Sequence, residues 1–115
     1  MKKMLLGIML LLSFLSAQAQ IKNAKTEKVK VYGNCGMCKN VIEKAAEKKA
    51  VSKAHWDVET KVLTITFDSK KTNASSILKK IANAGYDSEI FTAPDNVYNN
   101  LHECCQYDRP RKSKK

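Results

Sequence analysis

The sequence predicts an α+β fold whose elements run strand, helix, strand, strand, helix, strand across residues 27–92. Three observations carry that expectation. Short stretches alternate apolar with polar residues, the signature of half-buried strands. Two longer stretches repeat apolar residues at helical spacing. Gly33, Gly36, Asn73 and Gly85 punctuate the boundaries between them.

The first strand starts at Lys28. Val29, Val31 and Gly33 fall on one face, and Lys28, Lys30 and Tyr32 on the other. Residues 20–26 are polar and read as loose. Gly33-Asn34-Cys35-Gly36-Met37-Cys38 then forms a tight loop, in which Gly36 is expected to let both sulfurs converge. In the next stretch Cys38, Val41, Ile42, Ala45, Ala46 and Lys49 recur at helical spacing, with Lys39, Glu43, Lys44, Glu47 and Lys48 on the far side. The segment is rich in Ala, Lys and Glu, all good helix formers.

Ala54, Trp56 and Val58 alternate with His55, Asp57 and Glu59. Past Thr60-Lys61, Leu63, Ile65 and Phe67 alternate with Thr64, Thr66 and Asp68. Two matched strands about a short polar turn predict an antiparallel hairpin. Asn73 or Ser75 can cap a second helix with Ile77, Leu78, Ile81 and Ala82 inside. Gly85 stands where a left-handed helix stop belongs. Tyr86–Phe91 is a weaker last strand. Right-handed crossovers put both helices on one face of a four-stranded antiparallel sheet, the ferredoxin-like βαββαβ arrangement.

The ends differ from this core. Lys2 and Lys3 precede an apolar run from Met4 to Leu15, followed by Ala17-Gln18-Ala19. A basic start, a short apolar core and small residues at the cut site predict a cleavable signal peptide over residues 1–19. The competing reading is an uncleaved anchor, but the run falls short of the ~20 residues a span requires. The mature chain, from Gln20, is then periplasmic or secreted and not membrane-spanning, in a compartment where disulfides are permitted. Residues 93–115 form a C-terminal extension. It carries Val97, Tyr98 and Leu101, then Cys104-Cys105, and its last stretch, Arg109–Lys115, reads as a disordered basic tail.

With 115 residues and a net charge of +10, the chain has room for one small domain and favours acidic partners. Aromatic residues interleaved for base stacking are missing, so nucleic acid is not the expected partner. No Ser-His-Asp-like set or paired-carboxylate cleft is discernible. No residue is assigned as catalytic, and the chain is read as no enzyme.

Cys35-Gly36-Met37-Cys38 is the most informative motif. Cys38 falls in the first turn of a helix, where free N–H groups and partial positive charge favour the thiolate. Lys39 is expected to add to that charge. Such a pair can hold a soft metal, cycle between dithiol and disulfide, or form a permanent disulfide.

With these residues in place, the chain resembles the heavy-metal-associated domain family of copper chaperones and periplasmic mercury-binding proteins. Val31–Cys38, the helix Lys39–Lys49 and Ala84-Gly85-Tyr86 carry the resemblance. It implies that Cys35 and Cys38 bind metal, with Cu(I) the leading candidate ahead of Hg(II), Zn(II) and Cd(II). Gly33 stands where the family usually has Met. Tyr86 is either a shield over the ion or a core tyrosine; Met37 is a second candidate shield, or exposed or packed loop filler, and is not expected as a direct ligand. Trp56 belongs to the hairpin core, and His55 faces solvent.

Cys104 and Cys105 lie outside the resemblance. They can add thiolates to the first pair, form disulfides with it, build a second site with His102, crosslink to another chain, or simply pack. The function expected is capture of a soft metal and its transfer or buffering. The alternative is a thiol-disulfide redox protein or sensor. The partner expected is a metal-transporting membrane protein, or another metal-binding domain, with an acidic docking face. The chain itself is expected as a monomer or a metal-bridged dimer.

Overall fold

The computed structural model describes residues 21–110. The expected signal peptide and residues 111–115 lie outside the described residues. The elements are β1 (Ala24–Lys30), α1 (Gly36–Ala46), β2 (Ser52–Trp56), β3 (Val62–Asp68), α2 (Ala74–Asn83), the short α3 (Asp95–Asn99) and a 3-10 turn (Glu103–Cys105).

Among the described residues the sheet is antiparallel with order β1-β3-β2. Its register places Val29, Leu63 and Trp56 in one row, and Glu27, Ile65 and Ala54 in the next. Because side chains alternate, one face collects Val29, Leu63, Ile65, Phe67 and Trp56. That face is buried with Ile42 and Ala46 of α1 and Ile77, Leu78 and Ile81 of α2 in one core cluster. The other face carries Lys28, Thr64 and His55 in register, all polar. Asn73 caps α2 by accepting from the Ser76 N–H at 2.8 Å. Gly85 ends it at φ +112, and a Cβ there would lie 3.0 Å from Leu101.

Four expectations need correction. β1 begins at Ala24, within the stretch read as loose; its partner β3 supplies the ladder from Asp68 onward, and Thr26 and Thr66 pair hydroxyls at 3.1 Å. Polar residues on both of its faces hide this part of the strand from periodicity. The last strand shrinks to a bridge between Val31 and Ser88. Ser88 explains this: its hydroxyl accepts from the Ile90 and Phe91 N–H groups, and its own N–H donates to the Phe91 carbonyl at 2.8 Å. Such local bonds turn the chain away from the ladder. Third, α1 stops at Ala46, leaving Lys49 exposed. Finally, β2 stops at Trp56, and Asp57 folds a turn by accepting from the Glu59 and Thr60 N–H groups.

The extension folds back and packs against the core and the cysteine loop. Tyr107 is buried; its hydroxyl accepts from the Asp87 N–H and donates to the Gly85 carbonyl, both at 2.8 Å. Its ring stacks on Tyr86 at 5.6 Å and meets Tyr98 edge-on at 5.0 Å. Arg109 is no part of a loose tail. Its guanidinium grips Asp87 at 2.8 and 2.9 Å, reaches Asp95 and the Ala93 carbonyl, and covers the Tyr98 ring. Among the described residues no helix is long and apolar enough to cross a membrane.

Candidate metal centre

β1 gives way to a loop that delivers two cysteines to the head of α1. Cys35 is the N-cap, with extended backbone, and Cys38 is the third helical residue. Cys35 is half-buried and Cys38 is fully enclosed among core side chains. The Asn34 N–H donates to the Cys38 sulfur at 3.3 Å. The N–H groups of Cys38 and Met37 face Cys35 and lower its thiol pKa below the ordinary value. These are the unpaired donors of a helix start, so the loop favours a thiolate where the chain enters the helix.

Two details depart from expectation. A Cβ on Gly36 would meet nothing within 4 Å and its φ is not left-handed, so convergence of the sulfurs does not depend on glycine there. The close approach is at Gly33, where a Cβ would lie 3.0 Å from the Trp56 ring and 3.2 Å from the Cys38 Cβ. Trp56 fills the space beneath the loop and donates from its indole nitrogen to the Val31 carbonyl at 2.9 Å. Lys39, expected to bias the thiols, is turned away. It donates to Glu43 at 2.6 Å and to the Trp56 carbonyl at 2.8 Å.

Cys105 comes from the 3-10 turn and is 2% exposed. Its sulfur and those of Cys35 and Cys38 all lie within 4.8 Å of one another. Burial, and then its contact with Cys38, pushes the Cys105 thiol up to about 12. Tyr86 lies in the core below the thiols. Its hydroxyl is enclosed with no well-formed hydrogen bond, and the Cys105 and Cys38 thiols face it. Burial, followed by these two neighbours, raises its pKa and keeps it a neutral donor.

Cys104 is exposed on the rim. Its sulfur is 3.8 Å from the Met37 thioether and 3.9 Å from the Cys105 sulfur, and Met37 is itself 46% exposed. The Cys104 carbonyl accepts from the Asn34 amide at 3.1 Å and stands 3.7 Å from the Cys35 sulfur. All four cysteines are free thiols. His102 is exposed and outside the three-sulfur group; His55 lies beside Lys39 on the solvent face.

The heavy-metal-associated domain profile matches residues 34–87, from the loop to the chain reversal after α2. The mercuric transport protein periplasmic component of Shewanella putrefaciens is 34% identical over 91 residues, which span 78% of this chain and 98% of that one.

The chain belongs to the heavy-metal-associated domain family.

Solved structures agree with the family fold. A CopZ metallochaperone superposes with a TM-score of 0.52 at 27% identity, over 56% of this chain and 98% of its own. A structure from Bacillus anthracis str. Ames shares the fold at a TM-score of 0.53 and 24% identity, over 57% of this chain and 96% of its own. This heavy-metal-associated domain places its cysteine loop where a strand meets a helix. The extension that brings Cys105 lies beyond the residues that the family profile matches. Sequence reading missed Tyr107 and Arg109. The only hint was an isolated tyrosine two residues past the second cysteine pair.

Proposed function

We propose that this protein is an exported carrier that captures a soft metal ion, Cu(I) first among them, at Cys35 and Cys38 and passes it on or buffers it. The observation that carries the proposal is the convergence of two thiols at the head of α1, one with its pKa lowered by backbone N–H groups. Soft thiolates suit Cu(I) and its thiophilic neighbours. Two thiolates around Cu(I) leave a negative complex, and the positive end of the helix offsets that charge.

Cys35 is the more accessible sulfur and meets the ion first; Cys38 then closes on it from inside the helix. Each thiol loses its proton to solvent as its sulfur binds. Handover runs in reverse, with a partner's thiolates replacing these two one at a time. The basic chain supports docking on an acidic face of a membrane transporter or of another metal-binding domain. Export is supported by the leader-like start and by the relative named as a periplasmic component. Hg(II) is supported by the same relative's name and by the same donor chemistry.

Native mass spectrometry of the reduced chain from Gln20 onward, loaded separately with Cu(I), Hg(II) and Zn(II) under chelator competition, tests this. One Cu(I) retained per chain is expected. Loss of Cu(I) and Hg(II) to a weak chelator would end the proposal.

A further inference from the structure

We propose that Cys105 is a third thiolate ligand, carried in by the C-terminal extension to convert the two-cysteine loop into an enclosed three-sulfur site. This rests on the reading that Cys35 and Cys38 hold the ion. The site would accept ions that take three soft sulfurs, such as Cu(I), Hg(II) or Cd(II).

Two independent features point there. The first is geometry. Three thiolates around one ion, each at about 2.3 Å, stand about 4.0 Å apart. The sulfurs of Cys35, Cys38 and Cys105 already lie within 4.8 Å of one another, so modest side-chain movement closes them on an ion. The second is the Tyr86 hydroxyl, fully enclosed, without a well-formed hydrogen bond, and faced by the Cys105 and Cys38 thiols. A neutral thiol is a weak acceptor; a thiolate is a better one. The orphaned donor acquires its acceptor when the sulfurs become thiolates around an ion.

The position of Cys105 is built on both sides. Before it, the Cys105 N–H closes the 3-10 turn on the His102 carbonyl at 2.8 Å, and the Cys104 carbonyl is held by the Asn34 amide. After it, Tyr107 is pinned between the Asp87 N–H and the Gly85 carbonyl. The same turn aims the Cys104 sulfur outward, toward Met37 and solvent. The two adjacent cysteines therefore have different roles, with Cys105 inside and Cys104 at the rim.

Release is then slower than from a two-cysteine carrier, because a partner must displace three sulfurs, one of them buried. That favours buffering over rapid delivery.

The test is X-ray absorption at the metal edge of the reduced chain from Gln20 onward, loaded with one equivalent of Cu(I) or Cd(II). Release of the same ion to a chelator is timed in parallel. Three sulfurs are expected in the unsubstituted chain and in Cys104→Ala. Cys105→Ala and Cys105→Ser should lose one sulfur and release the ion at least about tenfold faster. Two sulfurs in the unsubstituted chain overturn the proposal. So does an unchanged count and release rate in the Cys105 variants, or loss of a sulfur in Cys104→Ala alone. The sulfur count of the unsubstituted chain decides the matter even if a variant folds poorly. Cys35→Ser separates the two proposals: if it binds as before, the two-cysteine reading itself has failed.

Discussion

Tyr86 is a liability in the metal-free protein. A buried hydroxyl without a good partner costs about 1–3 kcal/mol. Tyr86→Phe removes that cost and keeps the stacking on Tyr107. The variant should be more stable than the parent by about 1 kcal/mol without metal, yet hold Cu(I) less tightly. Urea unfolding and chelator competition check the two halves; a loss of metal-free stability would show that the hydroxyl is satisfied. At this scale the sequence reveals the loop chemistry but not its packing. Cys35 and Cys38 are legible because they stand between a strand pattern and a helix pattern. That Gly33 yields its space to the Trp56 ring is not, because the contact joins residues far apart in the chain. Cys104 and Cys105 cannot be told apart in sequence, since only the 3-10 turn decides which sulfur points inward.

The elements are joined by a polar clamp as well as by the core. One Glu43 oxygen of α1 accepts from Lys39 at 2.6 Å and from the Trp56 N–H of β2 at 2.8 Å. Burial pushes its carboxyl up, but the Lys39 ammonium and the Trp56 N–H outweigh that, and its pKa falls below the ordinary glutamate value. A depressed carboxyl stabilises the fold above its unfolded value and loses that contribution as pH falls through its folded value. Unfolding free energy should therefore drop as pH is lowered from the ordinary glutamate value into the more acid range. Glu43→Gln should cost about 1–2 kcal/mol at neutral pH and flatten the part of that drop due to this residue. Denaturant unfolding across the acid range measures both; an equally steep decline in the variant would assign the drop to other carboxyls. Glu43 reads in sequence as a solvated helix residue because its partner strand is a separate element. The helices and hairpin were legible from strong periodicity. The last strand was not, because Ser88 spends its hydrogen bonds on a local turn that alternation does not report.

Across the whole molecule, a buried ion pair joins Tyr107 in locking the C-terminal extension onto the domain. Arg109 and Asp87 are 14% and 2% exposed, and the guanidinium also covers Tyr98. Removing one partner strands a buried charge, which costs about 3–5 kcal/mol. Arg109→Ala should lose about 3 kcal/mol and loosen the segment that carries Cys105. Hydrogen exchange at Cys105 and Tyr107 should then accelerate; unchanged protection there would mean that Tyr107 alone holds the extension. Truncation after Pro94 removes Cys105 and Tyr107 together, so it strips core as well as a sulfur. Sequence composition made Arg109 part of a basic tail because its partners, Asp87 and Asp95, are fixed only by the folded path.

The central claim, that Cys35 and Cys38 capture the ion, is tested most directly by a chelator-competition titration with Cu(I). The parent chain and the Cys35→Ser/Cys38→Ala double variant are compared, each shown folded by circular dichroism. Alanine suits position 38 because that side chain lies in the core. The parent should take one Cu(I) from a competitor that the double variant cannot challenge. A double variant that still competes with the parent's affinity would contradict the account.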